Sequence, residues 1–146
     1  MGTLTLPNSG PIYLDAYGFI YSVERIEPYR GLMEPMWQQA ATGQLTIVAS
    51  ELSVMETFVK PLRDGDEVLQ WHFQELFNST EVRMVPATRA LWEDAAEIRA
   101  GLNLRTPDAL HAATSIQERC TLFVINDSAF RRVAGLPVVV LDELKV

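Results

Sequence analysis

Five short apolar runs recur along the chain and alternate with stretches of helical periodicity, the signature of a parallel α/β sheet. Ile12-Tyr13-Leu14, Leu45-Thr46-Ile47-Val48-Ala49, Val82 to Val85, Thr121-Leu122-Phe123-Val124-Ile125 and Val138-Val139-Val140-Leu141 read as the strands, the last at an edge. Helices are predicted over residues 16–24 and 28–42, with Pro35 kinking or starting the second. Ser50 is a candidate cap for a helix running to about Val59, which Pro61 and Asp64-Gly65-Asp66 separate from another reaching about Phe77. Residues 88–102 place Leu91, Ala95, Ile98 and Leu102 on one face. Thr106-Pro107 caps a helix to about Arg119. A chain of 146 residues without repeat or linker suits a single domain, 1–146, with residues 1–10 as a flexible N-terminal extension.

Four acids stand out against this frame. Asp15 directly follows the first strand, where open α/β sheets bind ligands, although aspartate also caps helices. Glu56 falls within the apolar stripe Leu52, Met55 and Val59, where a carboxylate is costly unless paired or bound to a cation. Asp108 is either a helix-dipole aspartate or a ligand; Ala109, Ala112 and Ala113 keep its helix thin enough to press on the sheet. Asp127 lies two residues beyond the fourth strand, in a turn that would also favour aspartate on conformational grounds alone. Parallel strands gather such positions on one rim. Clustered carboxylates repel, so cations are the expected compensation, and oxygen-only donors suit Mg²⁺ or Mn²⁺.

The remaining titratable groups offer little else. His111, three residues after Asp108, is either structural or a shared ligand; His72 has no evident partner. Cys120, alone of its kind, reads as a small core residue, consistent with a reducing cytoplasm. Met1 to Gly10 lacks the charged and apolar pattern of a secretory signal, and no run is long enough to span a membrane. The net charge of −7 disfavours non-specific nucleic-acid binding, but two divalent ions would offset more than half of it, and would do so at the acids.

Four segments resemble the PIN-domain family, and within it the VapC-type toxin ribonucleases. They are Ile12-Tyr13-Leu14-Asp15 leading to Phe19-Ile20-Tyr21, Ser50 through Glu56, Arg105-Thr106-Pro107-Asp108-Ala109-Leu110-His111-Ala112-Ala113, and Asn126-Asp127 followed by Phe130. The resemblance spans residues 12 to about 141, and the third segment is its most specific part. It implies a three-layer α/β/α domain around a mostly parallel sheet of about five strands. It also implies a site in which Asp15, Glu56, Asp108 and Asp127 hold metal for endonucleolytic cleavage of RNA, a homodimer, and a cognate antitoxin protein. Lys60, Arg63, Arg105 and Arg131, each near one of the acids in sequence, are the expected phosphate contacts.

Two positions depart from the family pattern. Tyr17 replaces a small polar residue and Ile125 a hydroxyl residue, both of which would orient a carboxylate or water. These changes favour the rival expectation, a PIN-like module that binds protein or RNA without cutting it. A phosphotransferase with an aspartyl nucleophile fits less well, because Asp15-Ala16-Tyr17 lacks a second acid. The segment 16–42 is rich in large apolar groups, including Tyr17, Phe19, Ile20, Tyr21, Met33, Met36 and Trp37. Their number predicts a surplus exposed for the dimer or the antitoxin.

Overall fold

The computed structural model describes residues 2–144; Met1, Lys145 and Val146, included in the expected 1–146 domain, lie outside the described residues. Five strands form one all-parallel sheet in the order β3-β2-β1-β4-β5. They are β1 (Pro11–Leu14), β2 (Thr46–Ser50), β3 (Val82–Val85), β4 (Leu122–Ile125) and β5 (Val138–Val140). β5 is an edge strand, as its position in the sequence pattern predicts. Six α-helices flank the sheet: α1 (Ala16–Val23), α2 (Tyr29–Ala41), α3 (Leu52–Asp64), α4 (Glu67–Phe77), α5 (Arg89–Leu102) and α6 (Thr106–Gln117).

Successive strand residues point to opposite faces, so each side of the sheet has its own core. Ile12, Leu14, Ile47, Ala49 and Val124 pack with Phe19, Met33, Met36, Phe73 and Phe77 from α1, α2 and α4. Tyr13, Val48, Phe123 and Ile125 pack with Leu91, Ala95, Leu110 and Ala113 from α5 and α6. The expected three layers are therefore present. Leu4, within the N-terminal stretch, is buried in the first core. Cys120 is a buried, free thiol, pushed up to about 11 by burial. No helix among the described residues is long and apolar enough to cross a membrane.

Several local expectations are corrected. Pro35 lies inside an unbroken α2, and α3 continues through Pro61 to Asp64, ending at Gly65, whose φ of +67° is a left-handed cap. The stripe Leu52-Met55-Val59 is not the buried face of α3. Ser53, Thr57 and Pro61 face inward instead, whereas Met55 is 61% exposed and Val59 43%. The Thr57 hydroxyl donates to the Ser53 carbonyl at 2.8 Å, so burying this polar side chain leaves no donor unmet. The surplus expected in 16–42 is likewise smaller than predicted, because Phe19, Met33 and Met36 are fully buried. The largest run of exposed apolar side chains lies on α3 and α4: Val54, Met55, Val59, Leu62, Val68 and Trp71.

Candidate active site

The strand order reverses direction at β1: β2 and β3 lie to one side, β4 and β5 to the other. A crevice at such a reversal, beyond the carboxyl ends of the strands, is the common ligand site of open α/β sheets. Asp15 follows β1 and Asp127 lies two residues past β4, so both stand at this crevice. A pocket of about 260 Å³ there is lined by Asp15, Asp108 and Asp127, together with Tyr17, Tyr21, Arg105, Ile125, Asn126 and Phe130.

Asp15 is 6% exposed and caps α1, its Oδ1 accepting from the Gly18 amide at 3.2 Å. Gly18 permits that tight turn: a Cβ there would stand 2.1 Å from Leu14 Cδ1. Burial is the main reason the Asp15 carboxyl titrates high, at about 6; the charges of Glu56 and Asp108 add to the rise, and His111 and the Gly18 amide oppose it.

Asp108 sits in the first turn of α6, the helix that carries Ala109, Ala112 and Ala113 buried between sheet and α5 as their size predicts. Arg105 Nε donates to its Oδ2 at 3.2 Å. Asp127 accepts from the Ala129 amide at 2.9 Å and caps the short 3-10 turn Ser128–Arg132. Asp127 thus caps a turn and lines the pocket at once, and Asp108 stands in the first turn of its helix while lining the same pocket.

Glu56 does not line the pocket, but its charge acts on Asp15. It projects from the polar flank of α3, not from an apolar stripe, and its Oε1 lies 2.7 Å from His111 Nε2. His111 is 2% exposed, and its Nδ1 lies 2.5 Å from the Tyr13 hydroxyl. Both ring nitrogens are therefore engaged away from Asp108, which excludes an ion shared by Asp108 and His111 in this arrangement. A carboxylate only accepts, so Nε2 donates to Glu56; in the neutral ring Nδ1 is then the acceptor for the Tyr13 hydroxyl. The burial of a phenol in β1 and an imidazole in α6 is the signal that would have paired them, since buried polar groups need partners. His72 is exposed, its ring edge-on to Trp71.

The basic residues are dispersed. Arg105 lines the pocket. Lys60 pairs with Glu24 at 3.3 Å, Arg131 with Glu143, and Arg63 is exposed near the end of α3. Asn126, one residue before Asp127, donates to the Tyr21 hydroxyl at 3.2 Å and accepts from the Asp142 amide at 2.8 Å.

Among the described residues no three His, Cys, Asp or Glu side chains already form a metal cage. The donor chemistry nonetheless fits a hard cation. Protein donors engage one oxygen of each carboxylate, namely Oδ1 of Asp15, Oε1 of Glu56, Oδ2 of Asp108 and Oδ1 of Asp127, which leaves the second for a ligand. The rise of Asp15 comes chiefly from burial, with Glu56 and Asp108 adding to it, and a cation at the site would oppose both causes.

A family model for the PIN domain matches residues 12–136. No curated protein sequence matches the chain. Among solved structures, the chain is similar to VapBC2 from Rickettsia felis, crystallised with a promoter DNA fragment (TM-score 0.71, 17% identity, covering 88% of this chain and 97% of that one). It is similar to Mycobacterium tuberculosis VapC20, a sarcin-ricin loop cleaving toxin (TM-score 0.69, 20% identity, covering 86% and 95%). A toxin-antitoxin complex from Klebsiella pneumoniae also matches (TM-score 0.61, 20% identity, covering 90% and 97%).

Proposed function

Because the chain belongs to the PIN domain family, we propose that it is a Mg²⁺- or Mn²⁺-dependent endoribonuclease, the toxin of a toxin–antitoxin pair. The observation that carries this reading is the buried Asp15 carboxyl, held high by burial and by Glu56 and Asp108, in one pocket with Asp108 and Asp127. Asp15, Asp108 and Asp127 hold the divalent ion, with Glu56 beside them. The chemistry such an ion supplies is a lowered pKa for attacking water and neutralisation of charge on the phosphodiester. In the reaction a water oxygen bonds to phosphorus as that water gives up a proton to solvent, the ester P–O bond breaks, and the departing ribose oxygen takes a proton from solvent. Arg105 meets a phosphate oxygen at the pocket wall, and His111 fixes the carboxylate of Glu56. Lys60, Arg63 and Arg131 contribute further out along the strand. The same reading makes 1–146 one cytoplasmic domain, a homodimer in solution and the target of an antitoxin.

A second reading, a PIN module that binds RNA or protein without cleavage, is favoured by Ile125. This apolar residue lines the pocket where the family carries a hydroxyl. Incubation of the purified protein with RNA separates the two. The nuclease cleaves in Mg²⁺ or Mn²⁺, stops in EDTA, and loses cleavage but not RNA binding on Asp108→Asn. Binding without cleavage under every ion condition selects the second reading.

A further inference from the structure

Three tyrosines form a ladder, and two of them, Tyr17 and Tyr21, line the acidic pocket. Tyr29 and Tyr21 are stacked, with ring centroids 4.2 Å apart and planes at 24°. Tyr21 and Tyr17 follow at 6.2 Å and 35°. The ladder is tied down at its inner end. The Tyr29 hydroxyl bonds Asp142 Oδ1 at 2.5 Å, the Asp142 amide bonds Asn126, and Asn126 bonds the Tyr21 hydroxyl. Asn126 is also the residue before Asp127, so the aromatic ladder and the acidic cluster share one loop.

Tyr17 is the outermost ring. It sits in the first turn of α1, two residues after Asp15, and is 60% exposed while lining the pocket of Asp15, Asp108 and Asp127. The exposed tryptophans Trp71 and Trp92 do not line that pocket. A large aromatic held in water beside a phosphodiester site forgoes burial that a small polar residue would not need. A net charge of −7 disfavours binding through phosphate contacts alone, and among the described residues lining the pocket only Arg105 is basic. Stacking of a nucleobase on an aromatic ring is independent of that charge, and every base has a face to offer.

We propose that Tyr17, backed by Tyr21, is the stacking platform for an unpaired nucleobase next to the scissile phosphate. This rests on the ribonuclease reading. The residue that departs from the family's small polar position then has a role of its own: it binds the base while the acids act on the phosphate.

The test is fluorescence anisotropy with a labelled short oligoadenylate and the matching abasic ribose-phosphate oligomer, with RNA cleavage measured alongside. The wild type binds the oligoadenylate more tightly than the abasic oligomer. Tyr17→Ala loses roughly tenfold in affinity for the oligoadenylate and nothing for the abasic oligomer. Tyr17→Phe keeps the preference, because the ring and not the hydroxyl stacks; circular dichroism verifies that both variants fold. Equal binding of the two oligomers by the wild type, or an unchanged oligoadenylate affinity in Tyr17→Ala, overturns the platform while RNA cleavage persists. Loss of a protein partner in Tyr17→Ala with RNA affinity unchanged also overturns it. A wild type that binds RNA with this Tyr17 dependence but never cleaves it overturns the nuclease reading alone.

Discussion

His111 Nε2 stands 2.7 Å from Glu56 Oε1, and through its other nitrogen the same ring meets the Tyr13 hydroxyl, so one imidazole links β1, α3 and α6 beneath the acidic pocket. All three groups belong to one chain of hydrogen bonds, buried at Tyr13 and His111 and partly exposed at Glu56, and their energies are expected to be coupled. Tyr13→Phe and His111→Ala each strand a buried polar group and are expected to cost about 1–3 kcal/mol. The double variant is expected to cost less than the two single losses added together. Urea denaturation of the four proteins measures this; strictly additive losses would show that the linkage contributes nothing.

Glu56→Gln keeps an acceptor for His111 Nε2 but removes the charge. The variant is expected to melt within a few degrees of the wild type and to lose at least tenfold in RNA cleavage. Full cleavage by a folded Glu56→Gln protein would take Glu56 out of the reaction.

Asp15 makes stability depend on pH in an unusual direction. Its carboxyl titrates at about 6 rather than the ordinary 3.8, so the folded state prefers the protonated acid. The penalty for ionising it is absent below 3.8, grows as pH rises, and is complete above about 6, where it amounts to roughly 3 kcal/mol. Asp15→Asn is therefore expected to be more stable than the wild type at pH 8 without divalent ions, with the gap closing as pH falls from about 6 to 4. Parallel stability curves for the two proteins from pH 8 to 4 would contradict this.

The α3 and α2 corrections give a contrast in stability. Met33 is fully buried, although the apolar surplus over 16–42 would expose it, and Met55 is 61% exposed, although periodicity turns it inward. Met33→Ser is expected to destabilise by about 3 kcal/mol, through lost burial and a buried hydroxyl, and Met55→Ser by less than about 0.5 kcal/mol. Thermal melts of the two variants check the assignment.

The strands were legible because each is a short apolar run ended by an acid, a proline or a turn, and strand alternation then divides the core between two faces. β3 stops at Val85, just before Pro86, where proline removes the next amide donor. The inward face of α3 was not legible. A helical pattern reveals an apolar stripe but not which neighbour it meets, and Ser53 and Thr57 lie buried where periodicity places polar residues outside. Asp15, Asp108 and Asp127 could be anticipated because strand ends and helix starts converge on one rim. The bonds from His111 to Tyr13 and Glu56 join residues 98 and 55 positions apart, beyond the reach of any local pattern.

Uptake of a divalent ion by the acids at the ends of β1 and β4 is the central requirement of the proposed nuclease. Manganese binding, read from the loss of the free-ion electron paramagnetic resonance signal at pH 7.5, measures it. The wild type is expected to remove Mn²⁺ from solution, and to do so less well below pH 6, where Asp15 holds its proton. Asp15→Asn with Asp127→Asn is expected to leave the free-ion signal as it is in buffer. Equal uptake by the wild type and the folded double variant, or none by either, would contradict a metal centre at these acids.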